Sequence, residues 1–197
     1  MSATNEKKRP LILIIDSFSL AFRAFYSYPP NLTLAEGQPI NAVFGFLSMS
    51  FQAIDRFKPD YLCFCFDRKE PTFRHELFKE YKGHRPPPPE EFVTQIPYLF
   101  KSLEQVGFSS LDLSGYEADD LIGTLASKAS EEGIESYIMT GDKDALQLIT
   151  DSISVVINKR GVTEYDLYTP EFLMEKMSLS PQQVIDYKSL KGDSSDN

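Results

Sequence analysis

Asp16, Asp67 and Asp142 each occur close behind an apolar run of the chain. Asp16 and Asp67 follow such a run directly, and Asp142 follows a third run after a single glycine. Short apolar runs bounded by polar residues are typical of buried strands. Because ligands in open α/β sheets bind beyond the carboxyl ends of the strands, we expect the three carboxylates to form one acidic site. An acidic site of this kind indicates cation binding.

Six more carboxylates stand in compact groups and extend this acidic set. Each group has an ordinary explanation, since acidic residues favour the first turn of a helix and aspartate is common in turns. As a set, however, they repel one another unless a cation is present. Oxygen ligands favour Mg²⁺ or Mn²⁺, and two such ions can activate water and stabilise the oxygens of phosphodiester hydrolysis. The six residues are Glu117, Asp119, Asp120, Asp144, Asp193 and Asp196.

Residues 68–90, which we call the basic arch, carry the opposite charge. Between Arg68 and Arg85, six lysines and arginines stand against three glutamates, in a chain whose formal net charge is −9. A solvated surface is the commoner cause of such a pattern, but beside an acidic site it indicates phosphate binding and base stacking. Four prolines at 86–89 predict a stiff piece that projects from the sheet edge. The phosphate-binding and stacking candidates are Arg74, Lys79, Lys82 and Arg85, with Phe73, Phe78 and Tyr81.

Strands and helices alternate along the chain and would position these residues. The alternation predicts an α/β fold with a mainly parallel sheet covered by helices on both faces. A hairpin signal predicts two further strands at 152–157 and 162–165, and Thr169 followed by Pro170 predicts a helix start. Residues 1–10 are predicted to be a flexible tail and residues 11–197 one domain. Helical spacing is found at 17–26, 41–57, 90–106, 116–130 and from 144.

The bulk composition is that of a globular protein with a proper core. Hydrophobic residues make up 42% and charged residues 25% of the 197 residues. No apolar stretch approaches 20 residues, so we expect a soluble cytoplasmic protein without a membrane partner. Cys63 and Cys65 lie on one face of a predicted strand, where they cannot bridge each other comfortably. With two histidines in the chain, a zinc site is not favoured.

Several motifs together resemble the 5′-nuclease domains of the bacterial DNA polymerase I type, within the flap-endonuclease family. The resemblance covers nearly the whole chain from Leu11 and follows the family's order. It implies a PIN-like fold and a 5′-to-3′ exonuclease that also cuts DNA flaps. The motifs are Phe66-Asp67, Thr72-Phe73-Arg74, Tyr81-Lys82-Gly83-His84-Arg85, Gly115-Tyr116-Glu117-Ala118-Asp119-Asp120, Thr140-Gly141-Asp142-Lys143-Asp144 and Gly192-Asp193-Ser194-Ser195-Asp196-Asn197.

The resemblance also implies two divalent ions, Mg²⁺ or Mn²⁺, held by carboxylates. Asp16 is implied to act near the first ion, largely through water. The carboxylates implied for the first ion are Asp67, Glu117, Asp119 and Asp120. Those implied for the second ion are Asp142, Asp144, Asp193 and Asp196.

The implied substrate is DNA with a 5′ flap or a 5′ end. Lys82 and Arg85 match basic residues that contact the scissile phosphate. Arg74 and Tyr81 match the arch region through which a 5′ single strand passes. Arg23 matches an arginine near the 5′ side of the substrate. A polymerase module or a C-terminal extension is a further implied partner.

The chain departs from the family pattern in two places. The family has Asp-Gly after the first strand, whereas this chain has Asp16-Ser17, and we expect Ser17 either to narrow the approach of DNA or to shift Asp16. The family also continues beyond the last motif into a helix-hairpin-helix element that grips duplex DNA. Since the sequence ends at Asn197, we expect this element to be absent and DNA binding to be impaired.

Two other functional classes are consistent with parts of the pattern. A catalytically silent DNA-binding or accessory protein could keep the fold, but it has no need for nine candidate carboxylates. A phosphatase of the haloacid-dehalogenase type also places aspartates after strands. That class requires Asp-x-Asp after the first strand, and this chain has Asp16-Ser17-Phe18 there. A metal-dependent 5′-nuclease therefore remains the leading hypothesis.

Overall fold

Six strands form one sheet in the order β3-β2-β1-β4-β5-β6 in the computed structural model, which describes residues 8–159 and 164–192. The first five strands are parallel, and β6 pairs antiparallel with β5. The prediction of a mainly parallel sheet is thus confirmed. The strands are β1 Leu11–Asp16, β2 Tyr61–Cys65, β3 Ser110–Leu111, β4 Glu135–Thr140, β5 Ile153–Asn158 and β6 Tyr165–Tyr168.

Helices cover both faces of this sheet. One face packs against α1, α2 and α5, and the other against α6, α7, α8 and a short 3₁₀ helix. The α-helices are α1 Ser17–Ser27, α2 Asn41–Phe57, α3 Phe73–Leu77, α4 Glu90–Val93, α5 Ile96–Val106, α6 Ala118–Glu131, α7 Pro170–Met177 and α8 Pro181–Lys191, and the 3₁₀ helix is Lys143–Leu148.

β1 lies at the centre of the sheet, and all six of its residues are buried. Leu13 and Ile15 point into the core beneath α1 and α2, whereas Ile12 and Ile14 point into the core beneath α6. This two-sided burial explains why the strand is an unbroken apolar run rather than an alternating one.

Three predicted elements differ in detail from the structure. The helix predicted at 90–106 is two helices, because Pro97 lacks an N–H group and stands in the first turn of α5. The helix predicted from residue 144 is the 3₁₀ helix. The last strand is Tyr165–Tyr168 rather than 162–165, and residues 160–163 lie outside the described part.

α1 and α2 approach each other closely at Gly45. A Cβ atom added to Gly45 would lie 2.5 Å from Cδ2 of Tyr28 and 2.8 Å from Cβ of Ala24. Because that spacing is below van der Waals contact, only glycine allows this packing. The contact fixes α1, which begins directly after Asp16.

Within residues 8–159 and 164–192, no helix is both long enough and apolar enough to span a bilayer. Most of the predicted tail, residues 1–7, lies outside the described part.

Candidate metal and nucleic-acid site

The strand order reverses between β1 and β4, and two of the predicted carboxylates flank this point. β1 ends at Asp16, and Asp142 follows β4 after Gly141. β1 pairs with β2 on one side and with β4 on the other. Ligands of open α/β sheets bind at such a reversal, beyond the carboxyl ends of the strands.

Asp16 is buried and makes two hydrogen bonds. Its Oδ1 accepts the backbone N–H of Ser19 at 3.3 Å, which caps α1, and its Oδ2 accepts the Thr140 hydroxyl at 2.7 Å. Burial raises the pKa of Asp16 to about 6, and the negative charges of Asp67 and Asp142 add to the rise, against the effect of the two hydrogen bonds. The buried carboxyl group of Asp16 is therefore harder to ionise than that of an exposed aspartate.

Asp67 joins the end of β2 to the start of α6. Its Oδ1 accepts the backbone N–H of Ala118 at 2.9 Å. A carboxylate is favoured there because the first N–H groups of a helix have no partner within the helix. Glu117, Asp119 and Asp120 are thereby held beside the carboxyl edge of the sheet.

Asp119 lies within the electrostatic influence of the strand-end carboxylates. The residue as a whole is exposed, yet its pKa is raised to about 7 by desolvation of the carboxyl group and then by the charges of Asp16, Asp142 and Asp67. The structure therefore brings four of the predicted carboxylates into one neighbourhood.

Asp142 and Asp144 begin the 3₁₀ helix. Asp142 accepts the backbone N–H of Asp144 on Oδ1 at 2.8 Å. Asp144 in turn lies 2.6 Å from Nζ of Lys188 on α8. A cavity of about 340 Å³ between α6 and the 3₁₀ helix is lined by Asp119, Asp120 and Asp144, among others.

The basic arch bends back onto the start of α6. The short helix α3 lies within the basic arch and carries Arg74. The guanidinium group of Arg74 donates two hydrogen bonds to the carboxylate of Asp120, at 2.7 and 2.8 Å. The same group lies 3.6 Å from Glu117. The pKa of Asp120 is lowered, chiefly by its hydrogen bonds with Arg74.

Glu117 receives two further bonds from the basic arch. The Tyr81 hydroxyl donates to its Oε2 and Lys82 Nζ to its Oε1, each at 3.0 Å. We call Arg74, Tyr81, Lys82, Glu117 and Asp120 the arch latch. Two predicted metal ligands are thus bonded to the basic arch in this state, because the side chains of opposite charge compensate each other.

The other predicted DNA-binding residues are more dispersed. Arg23 on α1 donates from one guanidinium nitrogen to the backbone carbonyl of Lys159 at 2.7 Å. Phe78, Lys79 and Arg85 are exposed on the basic arch. Asp193 and Asp196 lie outside the described residues. As placed, no three histidine, cysteine, aspartate or glutamate side chains of residues 8–159 and 164–192 are close enough to hold a metal ion.

Ser17 is fully buried, and its hydroxyl donates to the carbonyl of Ile15 at 3.4 Å. The structure therefore gives no support to the first expected effect, a narrowed approach of DNA. The second, a shift of Asp16, stays a prediction. Cys63 and Cys65 are free thiols, as expected.

Sequence reasoning missed two hydroxyl groups at this edge of the sheet. Thr140 bonds to Asp16 and to the backbone of Asp142, and Ser19 accepts the N–H of Gly141 at 2.8 Å. The signal that could have indicated them is their position, since Thr140 ends a predicted strand and Ser19 stands three residues after a strand-end aspartate.

This fold and site define a family. Residues 11–178 match the family described as "5′-3′ exonuclease, N-terminal resolvase-like domain". The chain belongs to that family, which confirms the resemblance read from the motifs.

DNA polymerase I of two bacteria is similar to the chain. The chain is 43% identical to the Bacillus subtilis polymerase over 190 residues, which is 96% of the chain and 22% of the polymerase. It is 42% identical to the Streptococcus pneumoniae serotype 4 polymerase over 195 residues, or 98% of the chain and 22% of the polymerase. The chain thus spans about a fifth of the length of these relatives.

Solved nucleases share the fold. T5 5′-exonuclease with bound zinc superposes with a TM-score of 0.71 at 21% identity, covering 95% of this chain and 68% of the phage protein. The catalytic core of Rad2 in complex with a DNA substrate gives a TM-score of 0.55 at 14% identity, covering 94% of this chain and 55% of that catalytic-core chain. These likenesses confirm the predicted PIN-like fold.

Proposed function

We propose that the chain is a metal-dependent 5′-nuclease that hydrolyses DNA phosphodiesters, both as a 5′-3′ exonuclease and as a 5′-flap endonuclease. The observation that carries the proposal is the meeting of carboxylates from β1, β2, α6 and the loop after β4 beneath a basic, aromatic arch. The family match and the similarity to bacterial DNA polymerase I support it. A role in DNA replication and repair in the cytoplasm follows from the same relatives.

The donor atoms of the candidate carboxylates suit two divalent cations. Their donor set is all oxygen, which favours Mg²⁺ or Mn²⁺. Burial and the charges of neighbouring carboxylates raise the pKa values of Asp16 and Asp119, and the positive charge of Lys82 offsets only part of the rise at Asp119. The first ion would be held by Asp67, Glu117, Asp119 and Asp120, with Asp16 close by. The second ion would be held by Asp142, Asp144, Asp193 and Asp196.

Bound ions would lower the pKa of a water molecule and offset charge on the scissile phosphate. The basic arch supplies the groups that hold the phosphate. Lys82 and Arg85 would contact the scissile phosphate, while Arg74 and Lys79 hold neighbouring phosphates and Phe78 and Tyr81 stack on unpaired bases. Arg23 would bind the 5′ side of the DNA. By analogy with the longer relatives, the proposed partner is a polymerase module or a C-terminal extension.

The arch latch gives this proposal an order of events. While they bond to Asp120 and Glu117, Arg74 and Lys82 have fewer N–H groups for phosphate and their positive charge is partly offset. With Glu117 and Asp120 engaged as metal ligands, Arg74 and Lys82 would be available to the DNA. Metal and DNA binding therefore support each other in the proposed function.

A flap-cleavage assay tests the proposal. We expect purified chain to cut a labelled 5′-flap oligonucleotide duplex with Mg²⁺ or Mn²⁺ and to leave it intact in EDTA. Asp142→Ala should reduce cleavage by at least about 10³-fold, because a metal ligand supports several kcal/mol of charge stabilisation. The control Asp55→Asn removes an exposed carboxylate paired with Lys58 at the end of α2, which leads into the amino end of β2 and not the carboxyl edge, and it should cut normally.

Two outcomes contradict the proposal. If excess Mn²⁺ gives no cleavage by the wild-type chain, it is not a nuclease by itself. If DNA is bound but no divalent metal is, the chain is an accessory DNA-binding protein. Fluorescence anisotropy with the same duplex and calorimetric Mn²⁺ titration separate these outcomes.

A further inference from the structure

Thr140, at the carboxyl end of β4, contacts two candidate metal-binding segments with one hydroxyl group. Its Oγ1 donates to Asp16 Oδ2 at 2.7 Å and accepts the backbone N–H of Asp142 at 3.0 Å. The side chain is buried, with 3% of its surface exposed. One hydroxyl group thus fixes a carboxylate on β1 and the backbone that carries a carboxylate after β4.

A second hydroxyl residue also joins the segments that carry Asp16 and Asp142. Ser19 Oγ accepts the N–H of Gly141 at 2.8 Å, while the N–H of Ser19 donates to Asp16 Oδ1 at 3.3 Å. A Cβ atom added to Gly141 would lie 2.9 Å from Ser19 Oγ. Glycine at this position therefore permits a close approach of Ser19 and the loop after β4, which a larger residue would push apart.

Both oxygens of Asp16 are held by these contacts. Ser19 bonds to one oxygen and Thr140 to the other, so the plane of the carboxylate is fixed by two neighbouring elements. The Thr140 bond is the shorter of the two. Because the same hydroxyl also accepts from Asp142, rotation of the Asp16 carboxylate is coupled to the position of the loop after β4.

We propose that Thr140 is a positioning residue for the metal site, which orients Asp16 and Asp142 relative to each other through its hydroxyl group. The proposal rests on the proposed function, since it assumes that these carboxylates serve metal ions. Hydrogen-bond partners of metal ligands commonly contribute 10- to 100-fold to metal affinity or activity. Thr140 itself has no role in holding the ion.

The test compares two variants of Thr140 in the DNA-free chain. Thr140→Val keeps the shape of the side chain and removes the hydroxyl group, whereas Thr140→Ser keeps the hydroxyl group. Thr150→Val is the matched control, because Thr150 makes similar local bonds to Ser152 in the loop before β5. The Kd for Mn²⁺ is measured by calorimetry. The temperature is one at which each variant, kept free of metal in EDTA, is already fully folded.

We expect Thr140→Val to raise the Kd for Mn²⁺ by about 10- to 100-fold. Thr140→Ser should recover most of that loss, and Thr150→Val should match the wild type. In the flap assay, the Mg²⁺ concentration for half-maximal rate should rise in parallel for Thr140→Val. A purely structural role would lower the unfolding midpoint without moving the metal dependence.

Other results overturn the inference. A Kd for Thr140→Val equal to that of Thr150→Val shows that the hydroxyl group does not position the ligands. A loss of Mn²⁺ affinity in Thr140→Ser with none in Thr140→Val shows that the methyl group, and not the hydroxyl group, matters. If the wild-type chain binds no Mn²⁺, the proposed function fails and this inference fails with it.

Discussion

Asp120→Asn is the substitution that most directly tests the arch latch. It removes the charge that holds Arg74 while it preserves the size of the side chain. The amide oxygen can still accept the backbone N–H of Glu117, which Asp120 accepts at 3.0 Å. The change therefore weakens the bond between the basic arch and α6 without removing the helix cap.

The magnitude follows from the geometry of the pair. Arg74 and Asp120 make a two-pronged bond, and their side chains are 31% and 23% exposed. Exposed pairs contribute about 0.2–1 kcal/mol and breaking a buried pair costs about 3–5 kcal/mol, so we expect about 1–2 kcal/mol here. Since 1.4 kcal/mol is a factor of ten, opening of the basic arch should become about 5- to 30-fold more frequent.

Limited trypsin digestion measures this opening. Lys79 and Lys82 lie in the turns of the basic arch, and Asp120→Asn neither adds nor removes a tryptic site. Cleavage of a transiently open segment follows the population of the open form when reclosure is fast. The rate of cut at these two lysines, followed by mass spectrometry in EDTA, should therefore rise about 5- to 30-fold.

Asp166→Asn is the matched control for this experiment. Asp166 pairs with Lys159 at 2.8 Å on the hairpin strand β6, so its loss should leave arch cleavage at the wild-type rate. Equal cleavage rates for Asp120→Asn and Asp166→Asn would refute the reasoning, because the Arg74 bond would then contribute nothing to closing the basic arch.

Three stability predictions follow from urea unfolding. Gly45→Ala should lower the free energy of unfolding by about 1–3 kcal/mol through overpacking against Tyr28. The control Gly123→Ala, whose Cβ would lie 3.4 Å from Leu148, should raise it by up to about 1 kcal/mol through helix propensity. Equal effects of the two substitutions would contradict the packing argument. Asp16 has a folded pKa of about 6, above the unfolded value of about 3.9, so its ionisation destabilises the fold above pH 6 and not below pH 4. Asp16→Asn in EDTA should therefore stabilise by up to about 3 kcal/mol at pH 8 and by nothing at pH 4, and a gain that persists at pH 4 would contradict the assignment. Thr169→Ala should cost about 1 kcal/mol, because Thr169 caps α7 through the N–H of Phe172, and an unchanged midpoint would show that the cap is dispensable.

The carboxyl edge of the sheet was predictable from the sequence because its signals are local. Asp16 and Asp67 follow apolar runs that are buried on both faces, and a parallel sheet must place the ends of such strands together. The start of α6 at Glu117 was predictable from acidic residues that favour the first helical turn. These inferences needed no knowledge of how distant segments meet.

The arch latch was not predictable because it joins segments far apart in sequence. Arg74 and Asp120 are separated by 46 positions, and Lys82 and Glu117 by 35. The basic arch has little regular structure, so no periodicity shows which way it bends. The prolines indicated a projecting piece, and the charge attraction that draws the arch onto α6 becomes visible only in three dimensions.

In this structure three basic side chains form ion pairs with candidate metal ligands. Because their positive charges offset the carboxylates, this arrangement explains how the acidic edge is tolerated without metal. Arg74 bonds to Asp120, Lys82 to Glu117 and Lys188 to Asp144. Two other candidate ligands, Asp16 and Asp119, have pKa values that are raised by burial and by neighbouring carboxylates. Because a divalent ion would be attracted to these mutually repelling carboxylates, its arrival would weaken the hold of Asp120 and Glu117 on Arg74 and Lys82 and make the two basic side chains available for phosphate.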